Sequence, residues 1–480
     1  MSASDTPPKL YAAHEPIFPR RVSGVFRNLK WWIMAVTLGI YYLLPWVRWD
    51  RGASLSDQAV LIDLAHRRFF FFWIEIWPHE FYFIAGLLIM AGLGLFLFTS
   101  ALGRVWCGYA CPQTVWTDLF ILVERWIDGD RNARVRLWNA KWDARKVRLR
   151  LTKWAVWLLI AVATGGAWVF YFTDAPTLAV NLLHGTAHPI AYTTIAILTL
   201  TTFVFGGFMR EQICIYMCPW PRIQAAMTDE DTLMVAYRHW RGEPRGKLQK
   251  AAPEAYVDVA PQGDCIDCMA CVNVCPVGID IRDGQQLECI TCALCIDACD
   301  EVMDRIGKPR GLIDYMALTD EIAEMAGKPP RSLWKHILRP RTILYSVLWS
   351  LVGFGLMFAL FIRSDIDFVI SPVRNPTYVT LSDGSIRNTY EVRLRNKLGD
   401  ERGFQVSITS DADLTVQVDD RENNVVMVNP DETFMQRVHI VAPSGSAAAK
   451  TDSTPVRIWI EDTETLDRAY KDTIFNGNGK

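Results

Sequence analysis

The sequence predicts a multidomain membrane protein: an α-helical bundle of five transmembrane helices, a small α+β domain inserted before the fifth, and a C-terminal all-β sandwich. Three observations lead there. Five apolar stretches are long enough to cross a bilayer, eight cysteines crowd into one block between the fourth and fifth, and short alternating runs follow the fifth. A chain of 480 residues also suggests about three units at roughly 150 residues each. The formal net charge of −2, with 19 Trp and 23 Phe, fits a membrane setting, and no nucleic-acid partner is expected.

Residues 1–29 form a polar tail with Pro7, Pro8, Arg20 and Arg21. They hold no short apolar core ending in a small-residue cleavage site, so the first hydrophobic segment is expected to stay in the protein. The spans are placed at about 30–48, 81–102, 153–173, 189–210 and 342–362, each near the roughly 20 helical residues that a hydrocarbon core of about 30 Å requires. Trp31, Trp32, Trp46, Trp154 and Trp157 mark their ends, where amphipathic rings prefer the headgroup layer. The loop from Arg104 to Lys153 is dense in Arg and Lys, whereas Asp174 to His188 has neither. The positive-inside rule therefore puts the N-terminus and that loop in the cytoplasm and the C-terminus outside. Phe69–Pro78 is apolar but too short to span, and reads as an interfacial or re-entrant piece. Between Trp126 and Lys153, Trp and Leu alternate with Arg and Lys, which suits either a helix on an anionic leaflet or a solvated basic loop. Membrane lipid is the first expected partner.

Residues 242–264 are rich in Pro, Ala, Gly and charge and read as a linker into a cysteine-rich domain at 265–310, with a second linker at 311–341. Residues 366–480 contain alternating runs at Tyr390–Leu394, Phe404–Ile408, Val425–Val428, Phe434–Val441 and Val456–Ile460. Turn signals such as Ser382-Asp383-Gly384 and Asn429-Pro430-Asp431 separate them. That pattern predicts a sandwich of immunoglobulin-like size.

All twelve cysteines lie between Cys107 and Cys299. The exported part has none, which argues against a disulfide framework and for metal-ligating thiolates on a reducing side. Cys265-x2-Cys268-x2-Cys271-x3-Cys275-Pro276 is repeated as Cys289-x2-Cys292-x2-Cys295-x3-Cys299. In such runs three cysteines reach one [4Fe-4S] cube and the fourth ligates the other cluster. Cluster one is thus assigned Cys265, Cys268, Cys271 and Cys299, and cluster two Cys289, Cys292, Cys295 and Cys275. Two [4Fe-4S] clusters in a ferredoxin-like fold make the chain a one-electron carrier. Zinc ribbons spend two cysteine pairs on one tetrahedral ion, so two sets of four exclude them. Asp300 stands where the second run would carry proline, which should alter the local turn.

Two shorter motifs, Cys107-x3-Cys111-Pro112 and Cys214-x3-Cys218-Pro219, fall at the ends of the second and fourth spans. On a helix such pairs share a face, and the proline should end it. Together they would present four sulfurs as a thiolate metal site or a redox dithiol, and soft thiolates favour Cu(I), zinc or iron-sulfur clusters. The plainer alternative is buried cysteine used as a small apolar residue. His184 and His188 share helical spacing, with His66, His79, Glu80 and Asp174 as neighbours, but interfacial histidines without a metal are the simpler reading. His336, Tyr237 and His239 read as interfacial, and His439 as a half-exposed strand residue. The sequence carries no G-x-G-x-x-G after a strand, no Walker motif, no C-x-x-C-H and no haem-spanning histidine pair. The electron acceptor is therefore expected on the cluster side of the membrane.

The order of these features resembles the CcoG family, also called FixG or RdxA, membrane polyferredoxins accessory to assembly of cbb3-type cytochrome c oxidase. The resemblance rests on five spans, the two C-x3-C-P motifs, the eight-cysteine block and the C-terminal sandwich, nearly the whole chain. It implies a protein of the bacterial inner membrane with a periplasmic C-terminal domain and a cupric reductase activity. Cu(II) would be the substrate, with Cys107, Cys111, Cys214 and Cys218 contacting copper or passing electrons inward. A copper chaperone or transporter and oxidase assembly factors would be the partners, the electron donor being open. Two other readings stand beside it: an electron-transfer subunit fed by quinol, and an assembly scaffold acting through its exported domain.

Overall fold

The computed structural model describes residues 16–51, 56–247, 262–363, 366–396, 400–419, 421, 423–430 and 432–479. They divide into two compact units, Met1–Val47 with Ala59–Gly355, and Arg48–Gln58 with Leu356–Lys480.

Four helices of the first unit are long and apolar enough to cross a membrane: Tyr82–Leu102, Ala144–Val169, Pro189–Met209 and Pro340–Phe361. The expected span at 30–48 falls on a helix, Val25–Leu43, whose first two turns bury Arg27 and Lys30. Both face Asp118, at 3.0 and 4.0 Å, so this end is pinned by charge inside protein. The expected span at 153–173 begins at Ala144, because Asp143 caps the helix by accepting a hydrogen bond from the Lys146 amide at 2.7 Å. Hydropathy truncates at Lys153 a helix whose backbone continues through its basic turns.

Phe69–Pro78 is not a re-entrant piece. Arg68–Phe71 pairs with both Val60–Asp63 and Ile74–Ile76 as the central strand of a three-stranded antiparallel sheet. Strand pairing satisfies the backbone groups of an apolar run too short to span. The basic stretch after Trp126 is helical over Arg131–Asn139, and it is tied down rather than merely solvated. Glu124, 3 % exposed, meets Arg134 at 3.0 Å, Lys153 at 3.1 Å and Arg210 at 2.7 Å. Burial alone would raise its pKa, but the Arg210 and Lys153 charges hold it down to about 2. Its contribution to stability is complete above the ordinary carboxylate range and is lost as pH falls from there towards 2. Glu124→Gln leaves three cations around a neutral group, and a loss of about 3–5 kcal/mol is expected, measurable as a lower thermal midpoint in detergent.

The cysteine-rich insertion is closed by an antiparallel pair, Met234–Tyr237 with Ile313–Met316, on either side of the two cysteine runs. The expected second linker, 311–341, therefore contains one strand of the domain, and the other lies before the first linker, within the segment 30–241 assigned to the helical bundle. Of the first linker, residues 248–261 lie outside the described residues. The helix Val25–Leu43 docks on the same insertion: Asp297 accepts hydrogen bonds from the Phe26 and Arg27 amides at 3.3 and 2.7 Å.

The second unit is the expected sandwich. One sheet orders Thr415–Val418, Thr433–Ala442, Ile386–Arg395 and Asp367–Pro372, with Val379–Thr380 added to Ile386–Arg395. The other orders Val425–Val428, Arg402–Thr409, Thr454–Asp462 and Arg468–Phe475. Inward alternation buries Tyr390, Val392 and Leu394 against Val438, Ile440 and Ile458.

Candidate functional site

The two cysteine runs share one backbone device. Asp267 and Met269 in the first run, and Thr291 and Ala293 in the second, adopt positive φ at matching positions. Each run then enters a helix, Ala270–Val274 or Leu294–Ile306. Left-handed residues are costly for anything but glycine, so their repetition at equivalent places marks a wrapped loop that both halves need. Asp300 does change the local course. The second helix runs on to Ile306, and Asp300 accepts a hydrogen bond from the Gly311 amide at 3.0 Å.

The thiols fall into two groups. Cys271 and Cys299 each have Cys265 and Cys268 as electrostatic neighbours. Cys275 has Cys289 and Cys292, and Cys295 has all three; these four line one cavity, where Cys271 of the first group also reaches the wall. The last cysteine of each run thus turns towards the opposite run. Burial pushes Cys271, Cys275 and Cys299 up to about 12 and Cys289 up to about 11, and raises Cys295 well above the ordinary thiol value. Four neighbouring thiols in apolar surroundings are costly to ionise together unless a cationic centre compensates them, and four thiolates are the donor set an iron-sulfur cube takes.

The C-x3-C-P motifs sit differently from expectation. The second span stops at Leu102, Gly103 turns the chain with φ +64, and Cys107 lies on a separate short helix, Val105–Tyr109. Cys111 is the residue before the helix Pro112–Ile127, so Pro112 begins a helix rather than ending one. Cys214 lies on a π-helical turn, Ile213–Met217, and Pro219 leads into the helix Trp220–Met227. Wide π turns recur at functional sites. The outcome is a single cavity lined by Cys107, Cys111, Cys214 and Cys218, with Leu287, Glu288 and Ile290 of the second run's approach completing its wall. Cys107 donates to Gln224 Oε1 at 3.0 Å, and Thr114 donates to the Cys107 carbonyl at 2.6 Å. Burial and then the neighbouring cysteines push Cys107 up to about 12 and Cys214 up to about 11.

Sequence reasoning missed three residues here. Arg104, 3 % exposed, donates to the carbonyls of Leu287 and Pro221, the latter at 2.7 Å, tying both motifs to the cluster loop. Tyr109 donates to the Cys292 carbonyl at 3.1 Å. At Gly108 a Cβ would stand 2.7 Å from the Ile290 carbonyl oxygen and 3.0 Å from Cys292 Cα, so glycine alone permits this approach. The signal available was a glycine inside a metal-type motif. Gly108→Ala is expected to push the two loops apart and slow electron transfer between them by about tenfold or more, read by stopped-flow reoxidation of the reduced protein.

Among the described residues the histidines form no such group. His66 pairs with Asp63 at 2.6 Å, His184 Nδ1 lies 2.9 Å from the Val180 carbonyl, and His188 accepts from the Ile190 amide. Asp174 caps the helix Ala175–His184, and Glu80 accepts from the Trp77 amide. The side chain of His79 lies outside the described residues. His239 pairs with Glu321 at 3.5 Å, Tyr237 donates to Glu243 at 3.2 Å, and His439 meets Thr389 at 3.0 Å. His336 is fully buried, 2.7 Å from Asp320.

Comparison with known proteins agrees with this architecture. Residues 209–318 match the 4Fe-4S dicluster domain, residues 83–130 a 4Fe-4S binding domain, and residues 356–478 the IG-like fold at the C-terminal of FixG. The chain is 69 % identical to Protein RdxB of Cereibacter sphaeroides over the whole of both chains. It is 62 % identical to Protein RdxA of the same organism, over 94 % of this chain and 95 % of that one. Nitrogen fixation protein FixG of Rhizobium meliloti is 52 % identical, over 97 % of this chain and 94 % of its own.

Proposed function

Since the chain belongs to the RdxA/FixG family of iron-sulfur electron-transfer membrane proteins, we propose that it is a cupric reductase of the bacterial inner membrane. It reduces Cu(II) to Cu(I) for the copper centre of a cbb3-type cytochrome c oxidase. The observation that carries this is the shared cavity: four C-x3-C-P sulfurs meet there, and its wall includes the residues on either side of Cys289.

Cys265, Cys268, Cys271 and Cys299 would hold one cluster, and Cys289, Cys292, Cys295 and Cys275 the other. Bound there, the clusters supply one-electron redox chemistry. The chain's own residues do the rest. Arg104, Gly108 and Tyr109 hold the copper cavity against the Cys289–Cys292 loop, and Gln224 orients the Cys107 thiol. Cu(II) entering the cavity takes one electron and becomes Cu(I), which thiolates prefer and which a copper chaperone or transporter then accepts. The Arg- and Lys-rich loop sets the insertion on the cytoplasmic side and the sandwich in the periplasm.

The test is anaerobic. Protein loaded with iron and sulfide is reduced with dithionite, freed of excess, and mixed with Cu(II). One Cu(I) should appear, captured by a Cu(I)-specific chelator, for each cluster equivalent reoxidised. Clusters that stay reduced in the presence of Cu(II) would sink the proposal.

A further inference from the structure

A second cavity lies on the other side of the second cysteine run, about 560 Å³ in volume, within the range of small-molecule sites. Tyr109 and Tyr315 form its inner wall, and both rings also donate hydrogen bonds to that run, to the Cys292 carbonyl at 3.1 Å and the Thr291 carbonyl at 3.3 Å. Phe26 packs on Tyr315 with ring centroids 5.7 Å apart. Leu29, half exposed, and Leu102, the last residue of a membrane-length helix, form the apolar side. Opposite them stand acceptors. Asp320 and Glu324 share a face of the helix Leu318–Met325, and His336 follows just before the helix Pro340–Phe361.

His336 and Asp320 are both buried and lie 2.7 Å apart. Asp231 approaches His336 at 4.0 Å, and Arg331 approaches Asp320 at 3.3 Å. Glu324 Oε2 accepts from Arg238 at 2.7 Å, and its Oε1 is buried without a hydrogen-bond partner among the described residues. A wall of aromatic rings, an apolar mouth at the end of membrane helices and a buried imidazole–carboxylate pair together suit one ligand class. It is planar and lipophilic, and it gives up protons and electrons together.

We infer that this cavity is a quinol site and the point where electrons enter the chain, a reading that rests on the cluster assignment above. The quinol is oxidised to quinone. Its two electrons would be taken one each by the two clusters that the cysteine sets would hold, beyond the Tyr109 and Tyr315 wall. Its two protons leave through the His336–Asp320 pair, with Asp231 and Glu324 as the next acceptors.

The experiment uses the full chain with its clusters, in lipid nanodiscs, run in the quinone-reducing direction. Dithionite-reduced protein, freed of dithionite, is mixed with menadione, and cluster absorbance is followed. Wild type should reoxidise rapidly. His336→Gln should slow this by about a hundredfold, the size of a lost acid–base group, while iron content and reoxidation by Cu(II) stay as in wild type. Leu29→Trp, which fills the mouth and leaves the pair intact, should weaken menadione binding measured by fluorescence quenching of the oxidised protein. An azidoquinone photolabel should map to residues 313–337. Unchanged menadione kinetics in both variants, or a photolabel found elsewhere, overturns the site. The copper reading is judged separately by the Cu(II) arm.

Discussion

Cys299→Ala should remove one whole cluster and leave about four of eight iron atoms, and Cys275→Ala should do the same to the other. Single losses alone do not show which cysteines belong together, but double variants do. Adding Cys265→Ala to Cys299→Ala should cost no further iron, because both thiols serve one cube. Adding Cys289→Ala instead should remove the rest. If each run held its own cluster, the two doubles would exchange outcomes, since Cys289 and Cys299 lie in the same run. The structure favours the crossed result because Cys299 has Cys265, Cys268 and Cys271 around it, while Cys275 lines a cavity with Cys289, Cys292 and Cys295. Iron and sulfide analysis with low-temperature EPR reads both.

The variant Cys107→Ala/Cys214→Ala is expected to keep both clusters and lose Cu(II) reduction by about a hundredfold, or about 2.7 kcal/mol of transition-state stabilisation. Burial and the neighbouring cysteines push these two thiols up to about 12 and about 11. Copper must displace their protons, so copper affinity in wild type should rise with pH across the neutral range. In the variant that dependence should flatten. Stopped-flow mixing of reduced protein with Cu(II) at several pH values measures both effects. A variant that reduces Cu(II) at the wild-type rate would move copper to another place.

The cluster block was legible because its chemistry is written in local spacing: four thiols per run, the runs repeated, and a strand count in the C-terminal region that needs only alternation. What was not legible depends on distant parts of the chain. Nothing near Arg104 says that its partners are carbonyls at Leu287 and Pro221, and nothing near Gly108 announces the Cys292 backbone. The proline of each C-x3-C-P motif was assigned the wrong direction because proline is compatible with a helix start as well as a helix stop. The Val25–Leu43 and Ala144–Val169 helices begin before the expected spans because apolar length marks the stretch suited to lipid, whereas buried ion pairs and an aspartate cap carry the helix on through charged turns. Phe69–Pro78 was misread because an apolar string says nothing about whether its partner is lipid or another strand.

The strand pair Met234–Tyr237 and Ile313–Met316 has a further consequence. It brings the chain's departure from the bundle and its return to within one hydrogen-bonded ladder spacing, so the insertion enters and leaves through one seam. Beyond that seam it is keyed to the rest of the unit, since Asp297 holds the Phe26 and Arg27 amides and the Ile290–Cys292 backbone closes on Gly108. The wiring is a plug cut for this socket, and removing it would strip the helix Val25–Leu43 and the first C-x3-C-P motif of their partners.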